Sequence, residues 1–359
     1  MGGTTAKITI IEDKKAIKAR EFEVDRKARF KKGSGFPLRI PVIEMVEIGA
    51  GGGSIARVNK LEQIITGPDS AGSVPGPACY SNGGTLPTIT DADLVIGKIN
   101  PENFASGKIK LSKDLAINAI TKNIGQIVNL NTDTAALAIS EIVDETMSNA
   151  ARVHTVEQGH ETSNRTLIAF GGAAPLHVAR VAEKLKVSSI IIPTNASVGS
   201  AVGFLKAPVG YEVVKSLRML LKGFQVKKVN NLLKNMREEA EKIIENNSVS
   251  LIDIDSIKSS FEQKYEDLYA RILPNADIEI LTWSLSLSIQ NENPNQYKEL
   301  NYYMNIKENA SVNFVDYHSE KKIKVPYFER NDLNPGDLIM GQCIISEDQT
   351  TIIVSKNFN

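Results

Sequence analysis

Apolar residues recur along the first two hundred positions in two patterns, one typical of strands and one typical of helices. Short β-branched runs predict strands at 7–11 and 38–48. Between residues 132 and 156 the apolar side chains recur at three- and four-residue spacing, which predicts a long amphipathic helix. The segment 166–192 predicts a strand, a glycine turn, a helix and a second, parallel strand. This order of elements predicts an α/β fold with a mixed sheet.

The pattern changes after residue 210, where charged amphipathic helices replace the mixture of strands and helices. Such helices are predicted at 227–246 and 257–273, and the chain beyond them is strand-like and rich in turns. We therefore predict three parts: an α/β part at 1–210, a helical connection at 211–274 and a small C-terminal β accessory domain at 275–359.

Residues 49–91 form a long stretch without regular periodicity, dense in Gly, Pro, Ser and Asp. Apolar residues such as Ile55 and Leu61 interrupt it, which is unlike a linker. Long irregular segments inside compact proteins are usually either functional or disordered. The apolar anchors favour an ordered, functional loop.

Composition limits the classes of partner. Of the 359 residues, 42 are Lys or Arg and 42 are Asp or Glu, so the formal net charge is zero and no basic footprint for nucleic acid or membrane is expected. Two cysteines are too few for a disulfide framework and favour a reducing compartment. The sequence shows neither a long apolar run nor a signal-peptide pattern. These features predict a soluble cytoplasmic protein.

Three glycine turns offer bare backbone to an anionic ligand. One precedes the first predicted strand, one begins the irregular stretch, and one joins a strand to a helix start. Adjacent glycines let N–H groups reach phosphate oxygens, and a helix N-terminus attracts anions. Each turn also has a plainer interpretation: an ordinary turn, close strand–helix packing or a tight strand–helix connection. The candidate nucleotide-binding residues of these turns are Gly2, Gly3, Thr4, Thr5, Gly51, Gly52, Gly53, Gly171 and Gly172.

Two side chains are candidates for catalysis. Asp91 follows a glycine-rich loop and could position a metal-bound water or a substrate, although a cap for the following helix is the alternative. His177 could act as a base, with a hydrogen-bonded helix histidine as the alternative. His154 and His160 lack a third ligand in sequence, so the metal ligands stay unassigned.

Several motifs together resemble one family. Residues 1–5 are similar to the D-x-G-G-T phosphate loop of actin, hexokinase and sugar kinases. With segments 48–56, 67–80, 83–93 and 169–177, the chain resembles the hydantoinase A/5-oxoprolinase family over essentially its whole length. The resemblance implies an actin-like (ribonuclease H-like) ATPase half that uses ATP and Mg²⁺. It further implies a subunit of an ATP-dependent cyclic amide hydrolase, which activates the ring amide by phosphoryl transfer and works with a hydantoinase B-type subunit.

The resemblance leaves alternatives open. The family's relatives include acetone and acetophenone carboxylases, so a ketone carboxylase subunit is one alternative, and an inactive fragment that docks a partner is another. Ala174 and Asp93 stand where the family usually has Gly and Asn. Only one of the family's two D-x-G-G-T-like loops is present, and its leading Asp would fall before Met1. We therefore expect that an N-terminal half is missing and that the isolated chain does not hydrolyse ATP.

Overall fold

The computed structural model describes residues 1–19, 21–24, 34–40, 42–243, 254–270, 277–288, 302–304 and 306–359. The chain divides into two compact units, one made of residues 1–202 and 298–359 and the other of residues 203–297. Within the described ranges no helix is long and apolar enough to cross a bilayer.

The first unit opens with an antiparallel ribbon in which β1 pairs with β8, β2 with β3, β4 with β7 and β5 with β6. The strand expected at 38–48 is divided among β6, β7 and β8, because its parts pair with different partners. The strands are β1 (Ala6–Thr9), β2 (Ile11–Glu12), β3 (Lys15–Ala16), β4 (Lys18–Ala19), β5 (Phe22–Val24), β6 (Phe36–Leu38), β7 (Val42–Ile43) and β8 (Met45–Ile48).

A hairpin and a group of helices follow the ribbon. The hairpin is antiparallel, and the predicted amphipathic helix is confirmed, since Ile139, Val143 and Met147 bury one face of it in the core. A π-helical turn at Thr121–Gly125 joins the second and third helices. The elements are β9 (Ser54–Val58), β10 (Ile64–Ser70), α1 (Ile89–Ile96), α2 (Lys113–Ile120), α3 (Gln126–Val128) and α4 (Thr132–Glu157).

The predicted strand–helix–strand segment is also confirmed. It consists of β11 (Thr166–Ile168), α5 (Ala174–Leu185) and β12 (Ser189–Ile191), and the two strands pair in parallel. Pro175 lies in the first turn of α5, where its missing N–H costs no hydrogen bond. Helix α6 (Gly199–Lys206) follows.

The second unit is a long two-stranded sheet with helices. Its elements are β13 (Gly210–Leu220), α7 (Val226–Glu241), α8 (Ile254–Tyr269) and β14 (Glu279–Ser288), with β13 and β14 antiparallel. Its core includes Val213, Met236 and Trp283.

The last four strands belong to the first unit. Strands β15 (Ala310–Val315), β16 (Lys322–Glu329), β17 (Cys343–Glu347) and β18 (Thr350–Val354) form one sheet in chain order, in which β16 and β17 run parallel. Phe314, Val325 and Ile344 are buried in the same core as Ile120 and Ile139. The last four strands therefore share the core of the first unit, and the division into parts at 1–210, 211–274 and 275–359 stays a prediction.

Candidate functional site

A pocket of about 670 Å³ lies in the first unit, where parts of all three predicted glycine turns meet. These parts come from positions 2–4, 52–53 and 172, so segments that are far apart in sequence share one wall. The glycine wall, as we name it, consists of Gly2, Gly3, Thr4, Gly52, Gly53 and Gly172.

The first two turns are bonded to each other. Gly52 N donates to Gly2 O at 2.9 Å, and Gly53 N donates to Gly3 O at 2.7 Å. A Cβ on Gly51 would meet Thr4 N at 2.4 Å, so only glycine fits beneath the first turn. Gly51 therefore has the packing role that the sequence offered as an alternative, and the N–H groups of Gly52 and Gly53 are already used within the protein.

Other backbone groups of the glycine wall are open. A Cβ on Gly2 or Gly3 would meet nothing within 4 Å, and one on Gly172 would meet only Gln349 O, at 3.5 Å. In the described part of the chain, the N–H groups of Gly3, Thr4 and Gly172 donate to no other group. Three N–H donors at one pocket wall can receive an anion such as a phosphate oxygen.

Like Gly51, the expected binding residues Thr5 and Gly171 lie outside the pocket lining. Gly171 has φ +96, and a Cβ there would meet Met1 O at 2.1 Å, so this glycine shapes the turn that presents Gly172. The Thr5 hydroxyl lies 3.3 Å from Lys7 Nζ.

Asp91 is enclosed in the protein and does not line the pocket. Its carboxylate accepts hydrogen bonds from the N–H groups of Ala78, Cys79 and Thr88 and from the Thr88 hydroxyl, at 2.7–3.2 Å. Thr88 and Asp91 form a capping box at the start of α1. The position of Asp91 matches the alternative role as a cap, and a catalytic role has no support from this position.

The acidic side chain that α1 brings to the pocket is Asp93. Asp93 belongs to a buried charge network whose other members are Lys98, Asp144 and His177. His177 lies between the carboxylates, with Nε2 3.1 Å from Asp93 Oδ2 and Nδ1 2.8 Å from Asp144 Oδ1. Lys98 Nζ lies 2.9 Å from Asp93 Oδ1 and donates to Ser140 Oγ at 2.9 Å.

The network favours the charged forms of Asp93 and His177. Burial raises the pKa of the Asp93 carboxyl, but the charges of His177 and Lys98 outweigh burial and leave that pKa below its ordinary value. Burial lowers the pKa of His177, but Asp93 and Asp144 together outweigh burial and the nearby Lys98, so the pKa of His177 is raised. His177 therefore lies behind the pocket wall and touches the pocket only through Asp93.

The opposite walls of the pocket were not expected from the sequence. The tip of the β17–β18 hairpin lines it, and Thr350 Oγ1 donates to Gly172 O at 2.8 Å. Tyr80 and Phe104 add an aromatic surface, with ring centroids 5.7 Å apart. The three-residue spacing of Thr90 and Asp93 on one helix was the signal that Asp93 shares the pocket face with Thr90.

The candidate metal histidines do not form a site. His154 is buried in α4, and His160 Nε2 pairs with Glu12 Oε1 at 2.7 Å. Among the residues that the structure describes, no group of three or more His, Cys, Asp or Glu side chains is arranged to hold a metal ion.

Comparison with known proteins identifies the family. Residues 1–213 match the Hydantoinase/oxoprolinase family, and residues 236–359 match the Hydantoinase/oxoprolinase C-terminal domain. The chain is a member of the hydantoinase/oxoprolinase family. This hydantoinase/oxoprolinase chain is 31% identical to an uncharacterized protein of Methanocaldococcus jannaschii, over 100% of this chain and 56% of the relative. It is 26% identical to caprolactamase subunit alpha of Pseudomonas jessenii, over 99% of this chain and 55% of the relative.

Solved structures give the same picture of this hydantoinase/oxoprolinase fold. The crystal structure of the ATP-dependent caprolactamase from Pseudomonas jessenii matches with a TM-score of 0.73 at 26% identity, covering 99% of this chain and 55% of that one. A nucleotide-free structure of acetone carboxylase matches with a TM-score of 0.78 at 22% identity, again over 99% and 55%, which establishes the fold alone. The chain thus spans about half the length of the relatives it matches.

Proposed function

We propose that this chain is the nucleotide-binding subunit of an ATP-dependent hydrolase that opens cyclic amides. The observation that carries the proposal is the convergence of three distant glycine turns on one pocket, where the N–H groups of Gly3, Thr4 and Gly172 donate to no group among the described residues. In the proposed complex these groups bind the phosphates of ATP, as in an actin-like half-cleft. The Thr4 hydroxyl provides a further donor, and Mg²⁺ accompanies the nucleotide.

The cyclic amide is favoured by the relatives and by the chemistry. The ATP-dependent caprolactamase matches almost the whole chain at 26% identity, while the acetophenone and acetone carboxylase subunits among the relatives keep a ketone substrate as the alternative. A lactam carbonyl is a poor electrophile, and phosphorylation of its oxygen couples ring opening to ATP. A ketone carboxylase subunit and an inactive docking subunit are the alternative functions. Because the relatives include named subunits, we propose that the chain acts with a hydantoinase B-type partner.

The nucleotide site is tested by adding a side chain at Gly172. The protein leaves space there, so Gly172→Val should fold while its side chain enters the volume of the ligand. We expect the Kd for Mg-ADP, measured by titration calorimetry at millimolar nucleotide, to rise at least tenfold, about 1.4 kcal/mol. The matched control is Gly223→Val, which also adds a side chain in open space but lies outside the pocket. An unchanged Kd in a folded Gly172→Val variant would exclude this site.

The substrate class is tested in the enzyme assembled with its partner. If the chain activates amides, a lactam should stimulate release of ADP and phosphate and be hydrolysed in proportion. If it belongs to a carboxylase, ADP release should instead depend on a ketone together with bicarbonate. No stimulation by either substrate would favour the docking subunit.

A further inference from the structure

Another wall of the pocket is aromatic and uncharged. Tyr80 and Phe104 lie there with ring centroids 5.7 Å apart. Burial raises the pKa of the Tyr80 phenol to about 12, so this group stays neutral. Ile99 and Asn103, from the same loop as Phe104, also line the pocket. We name these four residues the aromatic wall; such a surface suits a flat ring of low polarity.

The charges around the pocket are already compensated within the protein. Among the described residues that line it, none is Lys, Arg or His. Asp93 is paired with Lys98 and His177, at 2.9 and 3.1 Å. Glu347 Oε1 lies 2.6 Å from Arg330 Nη1. A carboxylate bound at the aromatic wall would therefore meet only neutral groups, and burying an uncompensated charge is costly.

The carboxamide of Asn103 is a polar group of the aromatic wall that is left for a ligand. It is half-buried, lines the pocket and makes no hydrogen bond with the residues that the structure describes. The neighbouring Asn100 differs, because its Oδ1 already accepts a hydrogen bond from Glu102 N at 3.1 Å. Asn103 therefore offers a ligand an acceptor oxygen and an NH₂ donor side by side.

A cyclic amide is complementary to this side chain. In a small ring the amide is held cis, so its N–H and its C=O lie on the same edge. A carboxamide can accept from this N–H and donate to this C=O at once, in the manner in which Asn pairs with adenine. A ketone of the same ring has no N–H, so it leaves the Asn103 oxygen unpaired and binds more weakly.

The aromatic wall adjoins the glycine wall through the loop at 71–80. Ala71 N donates to Gly53 O at 2.9 Å, which ties the start of this loop to the glycine wall. A Cβ on Gly76 would meet Tyr80 Cδ2 at 2.8 Å, so the Tyr80 ring packs directly on the backbone of the same loop. A ring at the aromatic wall and a phosphate at the glycine wall thus share one pocket, as phosphoryl transfer requires.

We propose that the aromatic wall binds the ring of an uncharged cyclic amide, that Asn103 pairs with the amide group of this ring, and that lactams carrying a carboxylate are disfavoured. This inference rests on the proposed function. It narrows the substrate class among cyclic amides and adds the residue that distinguishes an amide from a ketone.

The experiment compares four compounds of one ring size on the full chain with Mg-ADP, by saturation-transfer NMR at neutral pH. We expect 2-pyrrolidone to bind at least about tenfold more tightly than 5-oxoproline, which adds a carboxylate to the same ring. The methyl ester of 5-oxoproline should bind within about threefold of 2-pyrrolidone, because it keeps the added size without the charge. Cyclopentanone, the ketone of this ring, should bind at least about fivefold more weakly than 2-pyrrolidone.

Variants of Asn103 test its part. Asn103→Ala should weaken binding of 2-pyrrolidone about fivefold or more and leave binding of cyclopentanone within about twofold, because only the amide loses hydrogen bonds. Asn103→Lys places a cation at the wall and should tighten binding of 5-oxoproline. The matched control is Asn118→Ala, which removes an exposed Asn of α2 outside the pocket and should change none of these constants. Near-UV circular dichroism establishes that each variant is folded.

The outcomes separate the inference from the proposed function. If 5-oxoproline binds as tightly as its methyl ester, or if folded Asn103→Ala keeps the full preference for 2-pyrrolidone over cyclopentanone, the inference is wrong and the nucleotide site stands. The same holds if the chain binds Mg-ADP but none of the ring compounds.

Adenine is the other ring that a carboxamide pairs with. If free adenine displaces 2-pyrrolidone and Asn103→Ala weakens binding of Mg-ADP, the aromatic wall holds the base of the nucleotide and the inference is wrong. If the unaltered chain binds neither Mg-ADP nor a ring compound, the proposed function fails and the inference fails with it.

Discussion

Asp91 and Asp93 are two residues apart on α1 and have different surroundings. Asp91, in the first turn, accepts four hydrogen bonds from the loop at 77–88 and the helix start. Asp93 lies on the other side of the helix, facing His177 and the pocket. Residues at this spacing do not share a helix face. The first carboxylate therefore organises the loop, and the second one is paired with His177 and Lys98 behind the pocket wall.

Replacing Asp91 tests its structural role. Asp91→Asn places an amide where the carboxylate accepts donors on every side, so buried N–H groups lose their partner. We expect the free energy of unfolding in urea to fall by about 2–3 kcal/mol. The control is Asp69→Asn, which breaks only an exposed ion pair with Arg57 and should cost less than about 1 kcal/mol. Full stability of Asp91→Asn would show that the hydrogen bonds around Asp91 do not hold this loop.

The charge network links three helices of the first unit to one another. It joins α1 through Asp93, α4 through Asp144 and α5 through His177, and the Tyr317 hydroxyl reaches it through Ser140 at 2.9 Å. Burial raises the pKa of Tyr317, so this group stays neutral beside Lys98. Breaking one partner of such a buried set typically costs about 3–5 kcal/mol, because the remaining charge is left uncompensated.

The network should make stability depend on pH. The pKa of His177 is raised in the folded state by Asp93 and Asp144 against burial and Lys98. The contribution of His177 to the free energy of unfolding is therefore complete below the pKa of about 6.5 that it has in the unfolded chain. This contribution is lost as pH rises through the pKa of the folded state. We expect urea midpoints of the unaltered chain to fall across that range, and those of His177→Gln to lack this component.

His160→Gln is the matched control for this pH series, because His160 pairs with Glu12 outside the network. It should keep the decline of the unaltered chain. If the urea midpoints of His177→Gln fell with pH as those of the unaltered chain do, the pH dependence would arise from other groups.

At the scale of the whole molecule, some features could be predicted from the sequence and others could not. Helix α4 and the β11–α5–β12 segment were predictable because their apolar spacing is local. The contact between Thr350 and Gly172 was not, since no local pattern tells which hairpin covers a turn 178 positions away. Whether Asp91 or Asp93 is predicted to lie at the pocket depends on where α1 is taken to begin. A shift of one or two residues in that boundary changes which of the two is assigned to the pocket side of the helix.

The shared core of the first unit predicts how fragments behave. Residues 1–202 alone would expose the apolar surface that Phe314, Val325 and Ile344 cover. We expect this fragment to show no cooperative urea transition, and co-expression with residues 298–359 to restore one. If the 1–202 fragment were as stable as the intact chain, the last four strands would be dispensable for folding.

The hydrogen bond from Thr350 to Gly172 also has a consequence for the order of events during synthesis. The two residues are 178 positions apart, which at about 5–20 residues per second separates their appearance by roughly 10–35 s. During that interval the backbone around Gly172 lies open to water and to any chaperone that reaches it. The wall of the pocket formed by the β17–β18 hairpin thus assembles after the glycine turns have been synthesised, and the nascent chain cannot complete this wall before that hairpin leaves the ribosome.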